Sequence, residues 1–553
     1  MAESSKRKPD TQRFDPYSIT GRGPVAERHL PLIVVGAGPA GIAAALAAAE
    51  AGVETMLVDE HPVAASLMGL DVPLHFGQRM NAAVQNKERM VERLVESNPR
   101  LADAFERGID IQLGVYAWGA FMNGPSVHVL TKPMLGLADE TRSWMVSFDR
   151  LILATGARDL GLSFAGWEKP GVMGVAGALA LMRRYKAFDG RRLVTLGSGA
   201  PALELAETAL GEGIAVEAMI EVADRAQGPD ELSRRLEAKG VRILTRHAIK
   251  EARGFSEVSA ALVVGLDEEG NPVSGSEREI ACDTIVTAIG LVPNVELLNV
   301  LGCKLDFRSG LGGFVPAVDV DGRTSHRQVF AVGDCAGVHD GKRLAPAIAE
   351  AEGRAAGLAA ARDLGAPAVA PAQAMVAPQL SEPSAVHGHW QAWLRAEIAV
   401  GGWEVHVCQC EEVTRGDVVD LRPPAYLKWG SSQMRPRNVA ALAVDGPINQ
   451  DQVKRLTRAG MGACQGRRCR EQVQMLLADA ARVEIGKIPL ASYRAPVRPL
   501  ALGVLWPEEE TDAMREHWNP WFGISTQFTP HWETGAVSPA LPGAEQPVTP
   551  SGK

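Results

Sequence analysis

Two close pairs of cysteines are the residues in this sequence with the clearest capacity for chemistry. Cys408 and Cys410 form a Cys-x-Cys pair, and 53 residues separate them from a second pair, Cys464 and Cys469. Four thiolates grouped in this way can bind an iron–sulfur cluster or a tetrahedral zinc ion, or they can stay unligated. Gly460 would let a backbone N–H group approach the sulfurs. The spacing therefore predicts a metal site but does not choose the metal.

A glycine-rich turn near the N-terminus has the pattern of a nucleotide-binding loop. In Gly36-Ala-Gly-Pro-Ala-Gly the first glycine permits a tight turn, the second lets a pyrophosphate approach, and the third allows close packing of helix and strand. The positive end of the helix then faces the phosphates. Asp59 follows Gly36 by 23 residues, where an acid would accept ribose hydroxyls. The residues predicted to bind a dinucleotide, rather than to form a purely structural turn, are Gly36, Gly38, Pro39, Ala40, Gly41, Asp59 and Glu60.

A second glycine-rich turn begins 161 residues after the first. It contains Gly197 and Gly199, has Ala202 in place of the third glycine, and is followed by the acid Glu221. An acid at that place favours a free 2′-hydroxyl, and therefore NAD over NADP. Binding of NAD or another adenine nucleotide, and a fold retained without a working ligand, both remain open here.

Runs of apolar residues predict the elements that position these turns. Each turn is expected between a strand and a helix, with a second strand after the helix. The predicted strands are Leu32–Val35, Val53–Val58, Val127–Leu130, Trp144–Phe148, Leu151–Ala154, Leu193–Leu196, Ala215–Ile220, Ala260–Val264, Thr284–Ala288 and Val329–Val332. The predicted helices run to about Ala51 and Leu210 and over Ala345–Ala361 and Asp451–Ala459.

Three further stretches resemble flavoprotein reductases that carry two dinucleotide-binding domains. They are Leu151–Ala157 with Thr155 and Gly156, Thr284–Gly290 with Pro293 and Asn294, and Val329–Ala336 with Gly333 and Asp334. The resemblance covers about 30–365 and implies an FAD-binding domain in two pieces with a nicotinamide-type domain inserted between them. It also implies that Asp334 meets the ribityl chain or pyrophosphate of the flavin.

Two departures from that family affect the expected chemistry. Residues 1–365 contain no close cysteine pair, which argues against disulfide reduction and makes Cys335 a core residue. Where many relatives have a Gly-Gly-Gln-like stretch after the first acid, this chain has Ala64–Pro73. The usual contacts to the isoalloxazine ring are therefore not assigned.

The cysteine region resembles the ferredoxin-like [2Fe–2S] domain of bacterioferritin-associated ferredoxin, with a longer gap between the pairs. The whole chain resembles the alpha subunit of heteromeric bacterial dehydrogenases of the opine, proline, hydroxyproline and sarcosine type. The resemblance implies a beta-type subunit whose own FAD oxidises the amine, an FMN between the subunits, and a small third subunit in some complexes. This chain would carry electrons through FAD and the [2Fe–2S] cluster to a downstream acceptor.

No residue of this chain is predicted to be catalytic. His75, His387, His389 and His406 are isolated histidines, which are more often packing or surface residues than bases. Two other functions stay open. One is a self-contained NAD(P)H-dependent reductase that passes electrons through the cluster, and the other is a non-enzymatic module that binds zinc and a nucleotide.

Composition excludes several classes of partner. The chain has 553 residues, a net charge of −9 and no long run of Lys or Arg, which argues against nucleic acid. No apolar run is long enough to span a bilayer, and the polar N-terminal stretch lacks the apolar core of a signal peptide. We therefore expect a cytoplasmic protein.

The predicted fold class is α/β, with two Rossmann-like dinucleotide-binding domains and a small α-rich C-terminal [2Fe–2S] domain. An Ala- and Pro-rich stretch predicts a linker, and the tryptophans of the Pro-rich tail predict that it packs on this chain or a partner. The predicted divisions are 1–30 (N-terminal arm), 30–158 (first segment of the FAD domain), 159–281 (inserted NAD-type domain), 282–365 (second segment of the FAD domain), 366–403 (linker), 404–485 ([2Fe–2S] domain) and 486–553 (tail).

Overall fold

Two larger sheets, the first mixed and the second parallel, each carry a glycine-rich turn after an inner strand. The computed structural model describes residues 25–63, 79–124, 130–367, 385–427 and 437–505. The chain divides into two units, Met1–Ala501 and Leu502–Lys553, and in the second the described residues form one short helix.

The strands fall into the two larger sheets and several small antiparallel ones. They are β1 (Arg28–Val35), β2 (Thr55–Asp59), β3 (Asp110–Leu113), β4 (Tyr116–Phe121), β5 (Met134–Ala138), β6 (Ser143–Leu153), β7 (Ala157–Asp159), β8 (Val172–Gly174), β9 (Arg192–Leu196), β10 (Ala215–Ile220), β11 (Ile243–Leu244), β12 (His247–Arg253), β13 (Ala260–Gly265), β14 (Arg278–Ala281), β15 (Thr284–Thr287), β16 (Leu291–Pro293), β17 (Leu305–Arg308), β18 (Gly313–Pro316), β19 (Val329–Ala331), β20 (His406–Cys408) and β21 (Val413–Thr414).

The helices cover the sheets and build most of the cysteine-bearing region. They are α1 (Pro39–Glu50), α2 (Lys87–Ser97), α3 (Arg100–Glu106), α4 (Val175–Leu179), α5 (Ala200–Gly211), α6 (Asp230–Ala238), α7 (Glu296–Val300), α8 (Asp340–Leu344), α9 (Pro346–Asp363), α10 (Ala385–Gly401), α11 (Arg415–Val419), α12 (Val439–Asp445), α13 (Gln450–Thr457), α14 (Arg470–Ala481) and α15 (Leu502–Leu505). Among the described helices, none has the length and apolar character needed to cross a membrane.

The order of the strands explains how one domain is built from two pieces of chain. The first sheet has the order β3-β2-β1-β6-β5-β4, and β19 joins it beside β6. Val329 of β19 pairs with Leu151 of β6, so the late segment returns to the sheet that holds the first turn. The second sheet, β11-β10-β9-β15-β8, is parallel throughout. The predicted α/β fold class is confirmed.

Most predicted elements are present, with small changes at their ends. The predicted strands Trp144–Phe148 and Leu151–Ala154 are one continuous strand, β6, because β5 and β1 pair along both of its edges. Most of the predicted strand Val127–Leu130 lies outside the described residues. Ala64–Pro73 and the tryptophans of the tail after Leu505 also lie outside them.

One buried helix replaces the second half of the expected linker. The linker is predicted over 366–403, but α10 forms over Ala385–Gly401. Its Trp390 and Trp393 are almost fully buried, in a core shared by the second sheet and the cysteine-bearing region. The Ala- and Pro-rich composition ends at Pro383, and beyond it the burial of two large aromatic rings stabilises a helix.

Helices α1 and α9 pack at a distance that only glycine permits. A Cβ atom added to Gly353 would lie 1.9 Å from the Ala40 carbonyl oxygen, and one added to Gly357 would lie 2.2 Å from that of Ala44. Both obstacles are backbone atoms, so neither can move without shifting a helix. The late segment is thereby held tightly against the helix that follows the first turn.

We expect Gly357→Ala to destabilise the folded chain by about 1–3 kcal/mol, the usual cost of overpacking. Gly211→Ala is the matched control, since no atom lies within 4 Å of the Cβ it would add to α5. That change should leave stability unchanged or raise it by up to about 1 kcal/mol, because alanine favours helix. Urea unfolding of both variants would measure the difference, and equal midpoints would contradict the prediction.

Candidate functional site

The first glycine-rich turn has the geometry of an open cradle. Gly36 has a φ of +108°, and a Cβ there would lie 2.2 Å from the Ala154 carbonyl oxygen. A Cβ on Gly41 would lie 1.8 Å from the Gly36 carbonyl oxygen. Gly38 differs, because nothing lies within 4 Å of the Cβ it lacks. The outer two glycines are thus required by the fold, and the middle one faces space that a ligand could fill.

That space is a cavity of about 540 Å³, within the range of cofactor sites. Eight of the eleven residues predicted for the flavin line it, namely Gly36, Gly38, Pro39, Asp59, Glu60, Thr155, Gly156 and Asp334. Ala40, Gly41 and Gly333 are not among its lining residues. A Cβ on Gly333 would lie 3.0 Å from the Cβ of Ala40, so the two residues pack against each other.

Asp59 closes the turn from the end of β2. Its carboxylate accepts hydrogen bonds from the Ala37 N–H at 2.5 Å and from His61, through both its N–H and Nδ1, at 2.8 Å. Burial would raise the pKa of Asp59, but the charge and hydrogen bond of His61, with Arg184 and the Ala37 N–H, lower it to about 2. Because the pKa of Asp59 in the fold lies below that of an ordinary aspartate, the ionised carboxylate stabilises the fold above about pH 4. This stabilisation is lost as the pH falls towards 2.

We expect Asp59→Asn to weaken flavin binding by about ten- to a hundredfold, since a charge-assisted hydrogen bond contributes roughly 1.5–3 kcal/mol. Asp110→Asn is the control, because Asp110 forms a partly exposed ion pair with Arg28. Fluorescence titration of the flavin-free chain would measure both dissociation constants. Equal constants for the two variants would mean that Asp59 does not shape the site.

Two residues that the sequence analysis missed fix the late motif. The Gly333 N–H donates to Glu352 Oε2 at 2.8 Å, and Lys342 Nζ donates to the Gly333 carbonyl oxygen at 3.0 Å. Lys342 and Glu352 are themselves an ion pair at 2.9 Å. Asp334 lies 3.6 Å from Arg343 Nη1. No spacing rule identifies such partners, because they act through the tertiary fold.

The two crossover segments are joined at the cavity. Thr155 Oγ1 donates to the Asn294 carbonyl oxygen at 2.8 Å, and Asn294 Nδ2 donates to that of Thr155 at 2.9 Å. Glu60 forms an ion pair with Arg498, from the segment after the cysteines, and Arg498 also lines the cavity. Both crossovers thus border the cavity, and nothing in the sequence indicated Arg498.

The four cysteines come together as two pairs. The thiol of Cys408 contacts that of Cys469, and the thiol of Cys410 contacts that of Cys464. Cys410 is exposed and the other three are buried. The Gly460 N–H donates to Cys408 Sγ at 3.4 Å. Within the described ranges, no three His, Cys, Asp or Glu side chains are arranged to hold a single metal ion.

The packing around Gly462 also brings the pairs together. A Cβ there would lie 2.2 Å from the Cβ of Cys410, so only glycine allows this approach. A hydrogen bond from Cys410 lowers the pKa of Cys464 to about 5, against the effect of burial and with help from Arg468. The same hydrogen bond, with burial, raises the pKa of Cys410, so within this contact Cys464 is the thiol that ionises first.

Arg467 connects the cysteine loop to the cavity. It lies between Cys464 and Cys469 in sequence, and it lines the cavity that begins at Gly36. Arg158, which lines the same cavity, donates from Nε to the Arg467 carbonyl oxygen at 3.2 Å. The cavity and the cysteine loop thus share a wall.

The second glycine-rich turn differs from the first at its acid, which is closed off from solvent, whereas Gly199 is nearly as open as Gly38. Glu221, the acid predicted to meet a ribose, has no exposed surface. Its carboxylate accepts from Ser198 Oγ at 2.6 Å and from the Ala223 N–H at 3.0 Å, and His389 Nε2 of α10 lies 3.4 Å away. The Gln227 N–H in turn donates to Ser198 Oγ at 3.0 Å.

The same helix covers the end of β15. A Cβ on Gly290 would lie 2.5 Å from the Trp390 ring. Gly197 is buried with a φ of +104°, and Gly199 is half-buried, so the predicted loop is formed. NAD binding at these residues stays a prediction. The carboxylate of Glu221 is bound by Ser198 and Ala223 and lies beside His389 of α10.

The histidines take different places. His387 packs between Phe307 and Trp390, and burial lowers its pKa to about 4. His389 faces Glu221. His406 is exposed at the start of β20, and His75 lies outside the described residues.

Comparison with known proteins gives two matching families. Residues 30–364 match the family described as pyridine nucleotide-disulphide oxidoreductase, and residues 436–507 match the sarcosine oxidase A3 domain. The chain is 26% identical to an opine oxidase subunit of Rhizobium meliloti over 504 residues, which is 86% of each chain.

Two further proteins are similar over most of the chain. Hydrogen cyanide synthase subunit HcnB of Pseudomonas aeruginosa is 26% identical over 475 residues, covering 80% of this chain and 91% of the relative. The solved structure of L-proline dehydrogenase from P. horikoshii is 20% identical, covers 88% of this chain and 81% of its own, and superposes with a TM-score of 0.54. The last likeness shows a shared fold. The relatives agree with the family resemblance drawn from the motifs.

Proposed function

The chain belongs to the pyridine nucleotide-disulphide oxidoreductase family and is an FAD-dependent oxidoreductase, and from that premise we propose that it is the electron-transferring subunit of a heteromeric amine dehydrogenase. In this proposal FAD occupies the cavity at Gly36 and a [2Fe–2S] cluster occupies the four cysteines. A beta-type subunit with its own FAD oxidises a secondary amine or amino-acid derivative of the opine, proline, hydroxyproline or sarcosine type. Electrons then pass through this chain to a downstream acceptor.

The observation that carries the proposal is the wall shared by the cavity and the cysteine loop. Arg467 belongs to the loop and lines the cavity, so groups bound at the two places would be neighbours. A flavin accepts electrons in pairs and an iron–sulfur cluster carries them singly, so adjacency of the two lets a pair be divided. A purely structural metal would not need this position.

The residues at the cavity suit FAD. The open face at Gly38 and the start of α1 offer backbone N–H groups to a pyrophosphate. The cavity contains Asp59 for the ribose end and Asp334 at the late motif. Bound FAD would supply hydride and single-electron chemistry, while these residues hold and orient it.

The grouping of the thiols favours a cluster over zinc. A [2Fe–2S] cluster needs two thiolates at each iron, and the chain presents the pairs Cys408/Cys469 and Cys410/Cys464. A tetrahedral zinc ion needs all four sulfurs around one point, and no group of the described residues is so arranged. The pairing supports the cluster, and the metal content of the purified chain decides between it and the alternative of a non-enzymatic zinc module.

The closed second turn argues against the other alternative, a self-contained NAD(P)H reductase. That function needs a nucleotide beside the flavin, whereas Glu221 is buried under α10. We propose that the inserted domain keeps its fold without a working nucleotide site. Electrons would then enter from a partner, as the subunit names of the relatives suggest. An FMN between the subunits and a small third subunit belong to the same proposal.

The test is purification of the tagged chain from its native host, with iron, sulfide and flavin measured per chain. A second flavoprotein in equal amount, with two irons per chain as one cluster requires, is the expected result. A lone chain whose flavin NADH bleaches quickly would replace the proposal with the reductase. Zinc without iron would remove both electron-transfer functions.

A further inference from the structure

Arg158 sits at a point where three regions of the chain meet. It belongs to β7, directly after the Thr155 crossover, and pairs in register with Val292 of the other crossover strand. Only 5% of its surface is exposed, and it lines the cavity. Its backbone is therefore fixed by both crossovers, and its side chain cannot move into solvent.

The guanidinium of Arg158 binds both sides of the boundary between the flavin domain and the cysteine region. On the flavin side Nη1 donates to Glu296 Oε1 at 3.1 Å and to Asn294 Oδ1 at 3.2 Å. On the cysteine side Nη2 donates to Glu471 Oε1 at 2.5 Å, and Nε to the Arg467 carbonyl oxygen at 3.2 Å. All three guanidinium nitrogens are used.

The two contacts on the cysteine side lie on either side of one predicted ligand. Arg467 precedes Cys469 by two residues and Glu471 follows it by two. Glu471 stands in the first turn of α14, which begins directly after Cys469. The buried Arg158 side chain thus binds the backbone before Cys469 and a side chain of helix α14 after it.

We propose that Arg158 is a positioning residue for electron transfer, which holds the Cys469 loop against the wall of the flavin cavity. The inference rests on the proposed function, because it presumes a flavin in the cavity and a cluster on the cysteines. Electron transfer slows steeply as the distance between donor and acceptor grows. A planar fork with several fixed donors holds such a distance better than a single ammonium group would.

The experiment uses the full chain with its bound cofactors, in the complex if a partner co-purifies. Arg158→Gln removes the charge and leaves one donor nitrogen in place of three. Arg158→Lys keeps the charge but lacks the planar guanidinium. Arg253→Gln is the matched control, because Arg253 forms exposed ion pairs with Glu251 and Glu279, which contribute little.

Two readouts separate positioning from a general structural role. The first is hydrogen exchange of the amides over 464–471, measured with and without cofactors. The second is the rate at which the cluster is reduced after a light flash, with a deazaflavin as photoreductant, delivers one electron to the flavin. In Arg158→Gln chains that retain flavin and iron, we expect loop exchange about tenfold faster and flavin-to-cluster transfer about tenfold slower or more. Arg158→Lys should recover some of both.

The outcomes distinguish the inference from the function on which it rests. Wild-type rate and exchange in Arg158→Gln, with both cofactors present, would overturn the positioning role and leave the function standing. A wild-type chain without iron would overturn both. If Arg158→Gln does not fold, Glu471→Gln keeps the shape and weakens the same contact, and it must show the same two changes for the proposal to stand.

Discussion

A Cys464→Ser chain is expected to purify with its flavin but with little iron and without the visible absorbance of an iron–sulfur cluster. Cys464 is buried, its thiol contacts that of Cys410, and its pKa lies well below that of an ordinary thiol. A serine hydroxyl at neutral pH cannot replace a thiolate ligand, so one iron would lose half of its protein ligands. Iron, sulfide and flavin assays on the same preparation measure the effect.

The control is a buried cysteine of the flavin domain. Cys303 lies in the core beneath the first sheet, with its sulfur 3.4 Å from Thr324 Oγ1. Cys303→Ser should keep iron at the wild-type level. Full iron in Cys464→Ser would show that the cluster, if present, does not use this thiol. Loss of zinc instead of iron would identify the metal and remove the electron-transfer role.

The two glycine-rich turns show what the sequence can predict. Gly36 and Gly41 have neighbours that exclude any Cβ, so the residue types themselves encode the local geometry. The strand, helix and strand around each turn follow from apolar periodicity and lie close to their predicted bounds. The first crossover and the late motif are predictable as well, since each follows a buried strand with a glycine of positive φ, Gly156 and Gly333.

The network at the shared wall shows what the sequence could not predict. Arg158 and Glu471 are separated by 313 positions, and Glu60 and Arg498 by 438. From the sequence alone an arginine could lie on the surface or pair with any of the carboxylates. Only the tertiary fold shows which carboxylate it binds. Helix α10 was not predicted for a different reason. The tryptophan spacing of three residues, Trp390 to Trp393, is a helical signal, but the predicted linker extends to 403 although its Ala- and Pro-rich composition ends at Pro383.

NADH is expected to leave the flavin oxidised in the isolated chain, while a chemical reductant bleaches it. The site for the nicotinamide nucleotide would require Glu221 to accept ribose hydroxyls, and Glu221 has no exposed surface. His389 on α10 lies beside the carboxylate, and Trp390 covers the end of β15. Opening this turn would expose the rings of a buried helix to water, which is unfavourable. Anaerobic absorbance at the flavin band, and calorimetric titration with NAD and with ADP, measure both aspects.

Glu221→Gln distinguishes a closed turn from an unused but open one. In a working nucleotide site the change would weaken binding of NADH and slow the reduction of the flavin, with little effect on the fold. In the closed turn it would destabilise the chain by roughly 1–3 kcal/mol, because a buried carboxylate with satisfied partners becomes an amide whose N–H groups face the same donors. Glu217→Gln on β10, the strand that ends just before Glu221, is the control, since Glu217 pairs with the half-exposed Arg192. If NADH reduces the flavin and Glu221→Gln slows that reduction, the second turn is a working nucleotide site. Electrons would then enter this chain from NADH rather than from a partner.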